Sequence, residues 1–181
     1  MIKLVFSGYG GQGVLVLGEI VATIAMNKGK HVTWMPSYGP EMRGGTANCS
    51  VIISDKMIGS PFVQSDINIL CAMSGASVTK FLPKVAPGGL AFVNSSLVTD
   101  MELKNAKRDD VDTLEIDATN IAGQVGSIRV ANMVMLAGFL KKTDLFTMDE
   151  IKTVLEQRFK GARSQDLIPL NIKAIEIGMG S

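Results

Sequence analysis

The sequence has too few histidines and cysteines for most kinds of catalytic or metal site. Among its 181 residues there are one histidine, His31, and two cysteines, Cys49 and Cys71. A hydrolytic triad needs a histidine beside a nucleophile and an acid, and His31 is far from any acid in the sequence. Zinc and iron–sulfur sites need about four closely spaced ligands. We therefore expect no catalytic residue, no metal held by this chain alone, and two cysteines that are small buried residues.

Charge and hydropathy exclude two further classes of function. The chain has 18 basic and 17 acidic residues, so it has no excess positive charge for a nucleic acid or an anionic membrane. Its first apolar stretch, residues 14–27, is interrupted by Glu19 and is shorter than the roughly 20 residues of a membrane span. We predict a cytoplasmic protein that binds neither nucleic acid nor membrane, built as a single domain over residues 1–181.

The first 27 residues predict a strand, a glycine loop and an apolar helix. Gly8, Gly10 and Gly13 have the G-x-G-x-x-G spacing, directly after strand-like residues and directly before residues 14–27. Glycine allows a tight turn and the close approach of a phosphate or of another part of the backbone. The helix would point its free N–H groups at whatever lies over the loop. The segment is therefore a candidate anion site.

The usual dinucleotide interpretation of this spacing lacks one residue. It requires an acid about 20 residues beyond the last glycine to hold a ribose hydroxyl, whereas the second predicted strand, residues 31–36, ends without one. The first carboxylate after the helix is Glu41, which falls in a loop. Binding of NAD is therefore disfavoured. The glycines could instead serve only the close packing of strand and helix.

A second glycine-rich loop lies within residues 37–48. It holds Tyr38, Glu41 and Arg43, followed by Gly44 and Gly45. An arginine beside two glycines can offer several donors to a phosphate or carboxylate. The alternative is that Glu41 and Arg43 pair with each other or with a neighbouring chain. Loops held by a rigid scaffold often carry function, so both interpretations stay open.

The order of the remaining elements predicts an α/β fold. Strands are expected at 47–53, 57–58, 67–73, 90–94 and 113–116, and they alternate with helical segments. We predict a turn at 87–89, a charged surface excursion at 100–112 and a capping box at 147–150 that opens a helix. The fold class is a three-layer α/β/α, Rossmann-like domain with a mostly parallel sheet. Small polar residues at 74–75 and 94–96 would end strands at the ligand crevice of such a sheet.

Two motifs resemble the gamma subunit of the 2-oxoacid:ferredoxin oxidoreductases. The first is GYGGQGV at residues 8–14, and the second is PSYGPEMRGGTA at residues 36–47. The likeness continues over nearly the whole chain, with further matches at 58–61, 87–89, 94–96 and 132–136. It is closest to the 2-oxoglutarate branch, because the pyruvate branch tends to have a second arginine where Met42 stands.

The resemblance implies a subunit of a larger enzyme with no activity of its own. That enzyme oxidises a 2-oxoacid with coenzyme A and ferredoxin, giving succinyl-CoA and CO₂ where the substrate is 2-oxoglutarate. Thiamine diphosphate, magnesium and the iron–sulfur clusters would belong to the sister alpha, beta and delta subunits. The gamma subunit would help to enclose the active site and to bind coenzyme A at a shared site. A pyruvate or branched-chain complex, a free-standing nucleotide- or cofactor-binding module, and a homodimer of the isolated chain remain alternatives.

The two loops together give a hypothesis for the site. The glycine loop and the second loop would form one surface that faces the phosphates of coenzyme A, through Gly10, Gly11, Gln12, Gly13, Arg43, Gly44 and Gly45. Tyr38 and Glu41 would contact the thiamine-bearing subunit.

Overall fold

A six-stranded sheet forms the centre of the structure, a computed structural model that describes residues 1–39, 44–106, 108–160 and 167–180. Its strands are β1 (Ile2–Tyr9), β2 (His31–Tyr38), β3 (Thr46–Ser54), β4 (Ile67–Ala72), β5 (Val85–Asn94) and β6 (Asp112–Ile116). Seven α-helices lie within these described ranges: α1 (Val14–Asn27), α2 (Gly75–Phe81), α3 (Asp100–Ala106), α4 (Ala118–Val125), α5 (Ala131–Lys142), α6 (Met148–Arg158) and α7 (Leu167–Gly180).

The sheet is mostly parallel, as predicted. Its strand order is β2-β3-β1-β4-β5-β6. The pairs β1–β4, β4–β5 and β5–β6 are parallel, whereas β3 is antiparallel to both β1 and β2. Five strands therefore run in one direction, and β3 alone runs the opposite way. The carboxyl ends of β1 and β2 lie at the same edge of the sheet as the start of β3, which places the two glycine-rich loops at that edge.

Each face of the sheet has its own hydrophobic core. On one face lie α1 and α5, with α4, α6 and α7 packed against them. Phe139 of α5 stacks between Phe6 and Phe92 of the sheet, with ring centroids 5.7 and 4.4 Å apart. On the other face, α2 and α3 cover a smaller core over β4 and β5. The predicted three-layer α/β/α architecture is confirmed.

Helix α1 is buried between the sheet and α6, as its largely apolar sequence predicts. Gly18 allows the close approach to the sheet, because a Cβ there would clash with the Cys49 thiol. On the side of α1 that faces α6, Glu19 pairs with Arg158. At the C-terminal end of the helix, Lys28 pairs with Glu150 at 3.2 Å. These partly exposed ion pairs add little stability, so burial of the apolar faces holds the helix in place.

Two local predictions were wrong, and a third was incomplete. Residues 57–58 form no strand, since Met57 is 84% exposed and has no strand beside it. The predicted turn at 87–89 lies inside β5, where it forms a bulge at which the pairing with β4 shifts register. Gly88 adopts a φ of +74° there and donates its N–H to the Asp110 carbonyl at 2.7 Å. The excursion at 100–112 is mostly exposed, as predicted, but it also contains α3 and buries Leu103 and Val111, because one face of the charged segment is apolar.

Candidate functional site

The glycine loop joins the end of β1 to the start of α1 in a tight turn. Gly11 and Gly13 have φ angles of +102° and +74°, a region that favours glycine. The Gln12 N–H donates to the Tyr9 carbonyl at 3.1 Å. The Gly10 N–H donates to the Gly45 carbonyl at 2.8 Å, so the two glycine-rich loops are joined directly. The structure thus brings together the two loops that the sequence hypothesis combined.

The Gln12 side chain is bonded within the protein. Its Oε1 accepts the Tyr9 N–H at 2.6 Å, and its Nε2 donates to the Met73 carbonyl at 3.1 Å. The side chain therefore bridges the loops that follow β1 and β4. These loops border the crevice between β1 and β4, from which the chain continues toward opposite edges of the sheet. In an open α/β sheet a dinucleotide binds in such a crevice. Gln12 fills part of that crevice, which adds to the case against an ordinary dinucleotide site.

The glycines of the loop have different surroundings. A Cβ at Gly8 would meet the Cβ of Met73 at 2.8 Å, and one at Gly13 would clash with the Asn132 side chain. Both positions serve close packing, which was one of the two interpretations of the motif. Gly11 faces open space and is exposed. It is therefore a position in the loop where a ligand can approach the backbone closely.

Helix α1 begins without a side chain to satisfy its free N–H groups. Its N-cap is Gly13, and its first turn contains no acid. The first N–H groups of an α-helix have no partner within the helix, and together with the helix dipole they attract an anion. The loop and this helix start border a cleft of about 400 Å³, within the range of small-molecule sites. Its lining is Tyr9, Gly10, Gly11, Gly13, Val14, Leu15, Tyr38, Gly45, Thr46 and Ala47.

The cleft contains several of the predicted site residues. Gly10, Gly11 and Gly13 line it together with Gly45 from the second loop. Gly44 precedes Gly45 with a φ of +79° and has open space around it. Tyr38, predicted as a contact with a partner subunit, is 68% exposed at the rim. The predicted residues Glu41 and Arg43 lie outside the described residues.

Sequence reasoning missed five lining residues. They are Tyr9, Val14, Leu15, Thr46 and Ala47. The cross-strand register places Tyr9 opposite Thr46, and Ala47 opposite Tyr38. Tyr9 stands within the glycine motif, and β2 and β3 extend further toward the loop than expected. The signal that could have found these residues was their position beside the two motifs.

The other small polar residues at strand ends are used within the fold. Ser74 caps α2, and its hydroxyl lies 2.9 Å from that of Ser77. Asn94 is fully buried and donates to the Thr119 hydroxyl at 2.9 Å. The Ser96 hydroxyl accepts the Thr119 N–H at 3.0 Å. Residues 74–75 and 94–96 do not line the cleft, which corrects the expectation that they would.

The two cysteines are buried residues on different strands. They flank Phe6 of β1 in register, Cys49 on β3 and Cys71 on β4. Burial raises the pKa of the Cys49 thiol to about 12, and it raises the pKa of Cys71 as well. Both thiols are therefore neutral and poor nucleophiles. The prediction that they are small buried residues is confirmed.

Within the described residues, no three side chains among His, Cys, Asp and Glu come close enough to hold a metal ion. Every helix in the same ranges is too short or too polar to cross a membrane.

Comparison with known proteins gives consistent matches over the whole chain. The family model of pyruvate ferredoxin/flavodoxin oxidoreductase matches residues 3–181. The 2-oxoglutarate synthase subunit KorC of Methanothermobacter marburgensis is 31% identical, over 95% of this chain and 91% of the relative. The crystal structure of a keto/oxoacid ferredoxin oxidoreductase gamma subunit from Geobacter sulfurreducens superimposes with a TM-score of 0.80 at 30% identity. That match covers 99% of this chain and 97% of the other.

One group of relatives is much longer than this chain. The ketoisovalerate oxidoreductase subunit VorA of Methanothermobacter thermautotrophicus is 34% identical over 98% of this chain, but the match covers 35% of the relative. The chain therefore spans about a third of the VorA polypeptide. The names of the relatives are divided between 2-oxoglutarate and ketoisovalerate enzymes, so they do not determine one substrate.

Proposed function

The chain belongs to the pyruvate ferredoxin/flavodoxin oxidoreductase family and corresponds to its gamma subunit, and we propose that it serves a complex that oxidises 2-oxoglutarate. The complex would convert 2-oxoglutarate and coenzyme A to succinyl-CoA and CO₂ and would reduce ferredoxin. The match to KorC, which covers 91% of that relative, supports this substrate.

A pyruvate or branched-chain 2-oxoacid complex is the second candidate, and the match to VorA favours it. The reconstituted complex separates the two candidates through the 2-oxoacid that it oxidises fastest. We assign thiamine diphosphate, magnesium and the iron–sulfur clusters to sister alpha, beta and delta subunits. This chain has only two cysteines, and they lie on separate strands with β1 between them. An iron–sulfur cluster takes about four.

The observation that carries the proposal is the open start of α1 beside the cleft. Coenzyme A supplies the thiol that receives the acyl group, and it also carries phosphate groups that must be held. Gly11 is exposed, and Gly13 leaves the first N–H groups of α1 free to face an anion. Gly45 fixes the second loop against the first through its bond with Gly10. The residues present therefore fit a phosphate ligand, and Arg43 would add a charged donor from the second loop.

Coenzyme A titrated into the assembled complex tests this assignment. Charge-assisted hydrogen bonds contribute about 1.5–3 kcal/mol, so Arg43→Ala should weaken coenzyme A binding by about tenfold or more. Arg129→Ala is the matched control, because Arg129 is exposed and lies outside the cleft. Equal affinity of the Arg43→Ala complex and the wild-type complex would refute the role of this loop in binding coenzyme A.

The second loop has another use that the exposure of Tyr38 supports. We propose that Tyr38, at the mouth of the cleft, contacts the thiamine-bearing subunit, and that Glu41 contacts the same subunit. Exposed tyrosines are enriched in protein interfaces, because they bury a large apolar ring and keep a polar tip. Loss of subunit affinity in Tyr38→Ala, with coenzyme A affinity retained in the complex that still forms, would support docking.

A further inference from the structure

We infer that the face of β2 and β3 opposite α1 is the surface on which a sister polypeptide of the complex docks. We call this surface the open β2–β3 face and define it by Met35, Ser37, Asn48 and Ser50. The inference rests on the proposed function, because it requires that the chain is a subunit of a larger complex.

The helical layer on this side of the sheet is incomplete. Helices α2 and α3 pack over the half of the sheet that contains β4 and β5. The helix packed on β2 and β3 is α1, which lies on the opposite face. On the open side, β2 and β3 are bordered instead by a segment without regular secondary structure, which contributes Phe62 and Val63. Because β3 pairs antiparallel with β1 and β2, this part of the sheet can keep one face open to solvent, and a partner can reach it there.

The groove on the open β2–β3 face has an uncharged lining, as interface cores have. The groove has a volume of about 280 Å³ and is lined by Val5, Met35, Pro36, Ser37, Asn48, Ser50, Phe62, Val63 and Phe81. None of these nine residues is charged, although charged residues make up 19% of the chain. Depletion of charge with enrichment of Met and Phe distinguishes interface cores from other protein surface. Phe62 is 65% exposed, which leaves a large apolar side chain without cover.

Polar groups on the same face are available for a partner. Within the described residues, the side chains of Ser37, Asn48 and Ser50 form no hydrogen bond. Ser37 and Asn48 face each other across the two strands in register. A typical interface combines an apolar centre with several direct hydrogen bonds, and these three side chains can provide them. The face therefore offers both parts of a specific contact.

The long relatives indicate what covers this face. In the VorA polypeptide the part that matches this chain is about a third of the length, and the remaining two thirds are joined to it covalently. Covalent fusion keeps the matching unit close to those remaining two thirds, so a contact between them is expected. We assign the open β2–β3 face to the sister polypeptide that corresponds to those remaining two thirds. Tyr38, the residue after Ser37 in β2, lines the cleft on the other face, so the two proposed contacts lie on the two faces of one strand.

Replacement by arginine on the open face tests the assignment. Ser37→Arg and Asn48→Arg each put a charge into the proposed interface core, where its desolvation opposes binding. Asn27→Arg is the matched control, since Asn27 is exposed at the end of α1 on the opposite face. Affinity for the purified sister subunits is measured by titration, and the melting temperature and native mass of the isolated chain are recorded. Ser37 is exposed, so its variant should retain the fold even if Asn48→Arg does not.

We expect both variants to bind the sister subunits at least about tenfold more weakly than wild type, while Asn27→Arg binds normally. Normal binding by folded Ser37→Arg would overturn the inference and leave the proposed function standing. A change in the native mass of the isolated chain, with sister binding unaffected, would overturn it in favour of a second copy as the occupant. Failure of the wild-type chain to bind any sister subunit would refute the proposed function itself.

Discussion

The starts of helices α1 and α6 differ in how their free N–H groups are satisfied. At α6 the Thr147 hydroxyl accepts the Glu150 N–H at 3.3 Å, and the Glu150 carboxylate accepts the Thr147 N–H at 2.7 Å. At α1 the N-cap is Gly13, which has no side chain to accept, and the cleft lies beside it. The fold thus closes one anion-attracting helix end with its own carboxylate and leaves the other open.

Helix α4 shows that an uncharged group can also close such an end. The Ser96 hydroxyl accepts the N–H groups of Thr119 and Asn120 at 3.0 and 3.3 Å, and it donates to Asp117 at 2.6 Å. All three helices follow short loops with small or polar residues. The difference is whether a side chain reaches the N–H groups. A helix start without such a side chain is the one available to a phosphate.

The largest effect on stability is expected from a side chain added at Gly13, the N-cap of α1. Gly13→Ala places a Cβ against Asn132 at a φ of +74°. The left-handed conformation costs about 1–2 kcal/mol in a residue other than glycine, and forcing an extra methyl into a packed site costs about 1–3 kcal/mol. We expect the free energy of unfolding to fall by about 2–5 kcal/mol in urea denaturation.

The other end of the same helix provides the control for that variant. Gly29 has a φ of +73°, and a Cβ added there would meet nothing within 4 Å. The free energy of unfolding of Gly29→Ala should therefore fall only by the cost of the left-handed backbone conformation, about 1–2 kcal/mol. The difference between the two variants measures the contact with Asn132. Equal losses in both would show that Gly13 is needed for its backbone conformation alone.

A smaller effect, on coenzyme A affinity, is expected when an acid is placed in the first turn of α1, as Glu150 is in α6. Leu15 lies in the first turn of α1 and lines the cleft. Leu15→Glu places a carboxylate where an anionic ligand would bind, and Leu15→Gln has the same shape without the charge. A charge at a helix end contributes about 0.3–2 kcal/mol. Coenzyme A should bind the Glu variant of the assembled complex about two- to thirtyfold more weakly than the Gln variant. Indistinguishable affinities would mean that the start of α1 does not hold the phosphates.

Features set by neighbouring residues could be predicted from the sequence. Helix α1 occupies residues 14–27 as expected, because its apolar run begins directly after glycine and ends before another glycine. The capping box at Thr147 and Glu150 was predicted to the residue, because both partners lie within one helical turn. The α/β class followed from the alternation of strand and helix patterns. Each of these depends on contacts between residues close in the chain.

Features that depend on distant contacts could not be predicted. The insertion of β3 between β1 and β2 leaves no mark in either strand's periodicity. Gln12 was expected to face a cofactor, but its amide bonds Met73, which is 61 positions away. The bond between Gly10 and Gly45 likewise depends on how β1 and β3 pair. The motifs indicated which loops matter, and the sheet topology determined which of their groups remain free.

The smallest effect on stability is expected at Glu150, whose carboxylate accepts the Thr147 N–H at the start of α6. Hydrogen bonding from the Thr147 N–H, and then the nearby Lys28, lower the pKa of Glu150 below its ordinary value. A lowered pKa in the folded state stabilises the fold above the unfolded value of about 4.3, and this contribution disappears as the pH falls through the folded pKa. Glu150→Gln should therefore be less stable than wild type at pH 7 by no more than about 1 kcal/mol, since solvent screens the site. Urea denaturation at pH values from 7 to 3 should show this difference in the free energy of unfolding disappear in acid. Glu156 is an exposed acid on the same helix, and Glu156→Gln is the control that should show no comparable difference. A gap that stayed constant with pH would mean that shape rather than charge closes this helix end.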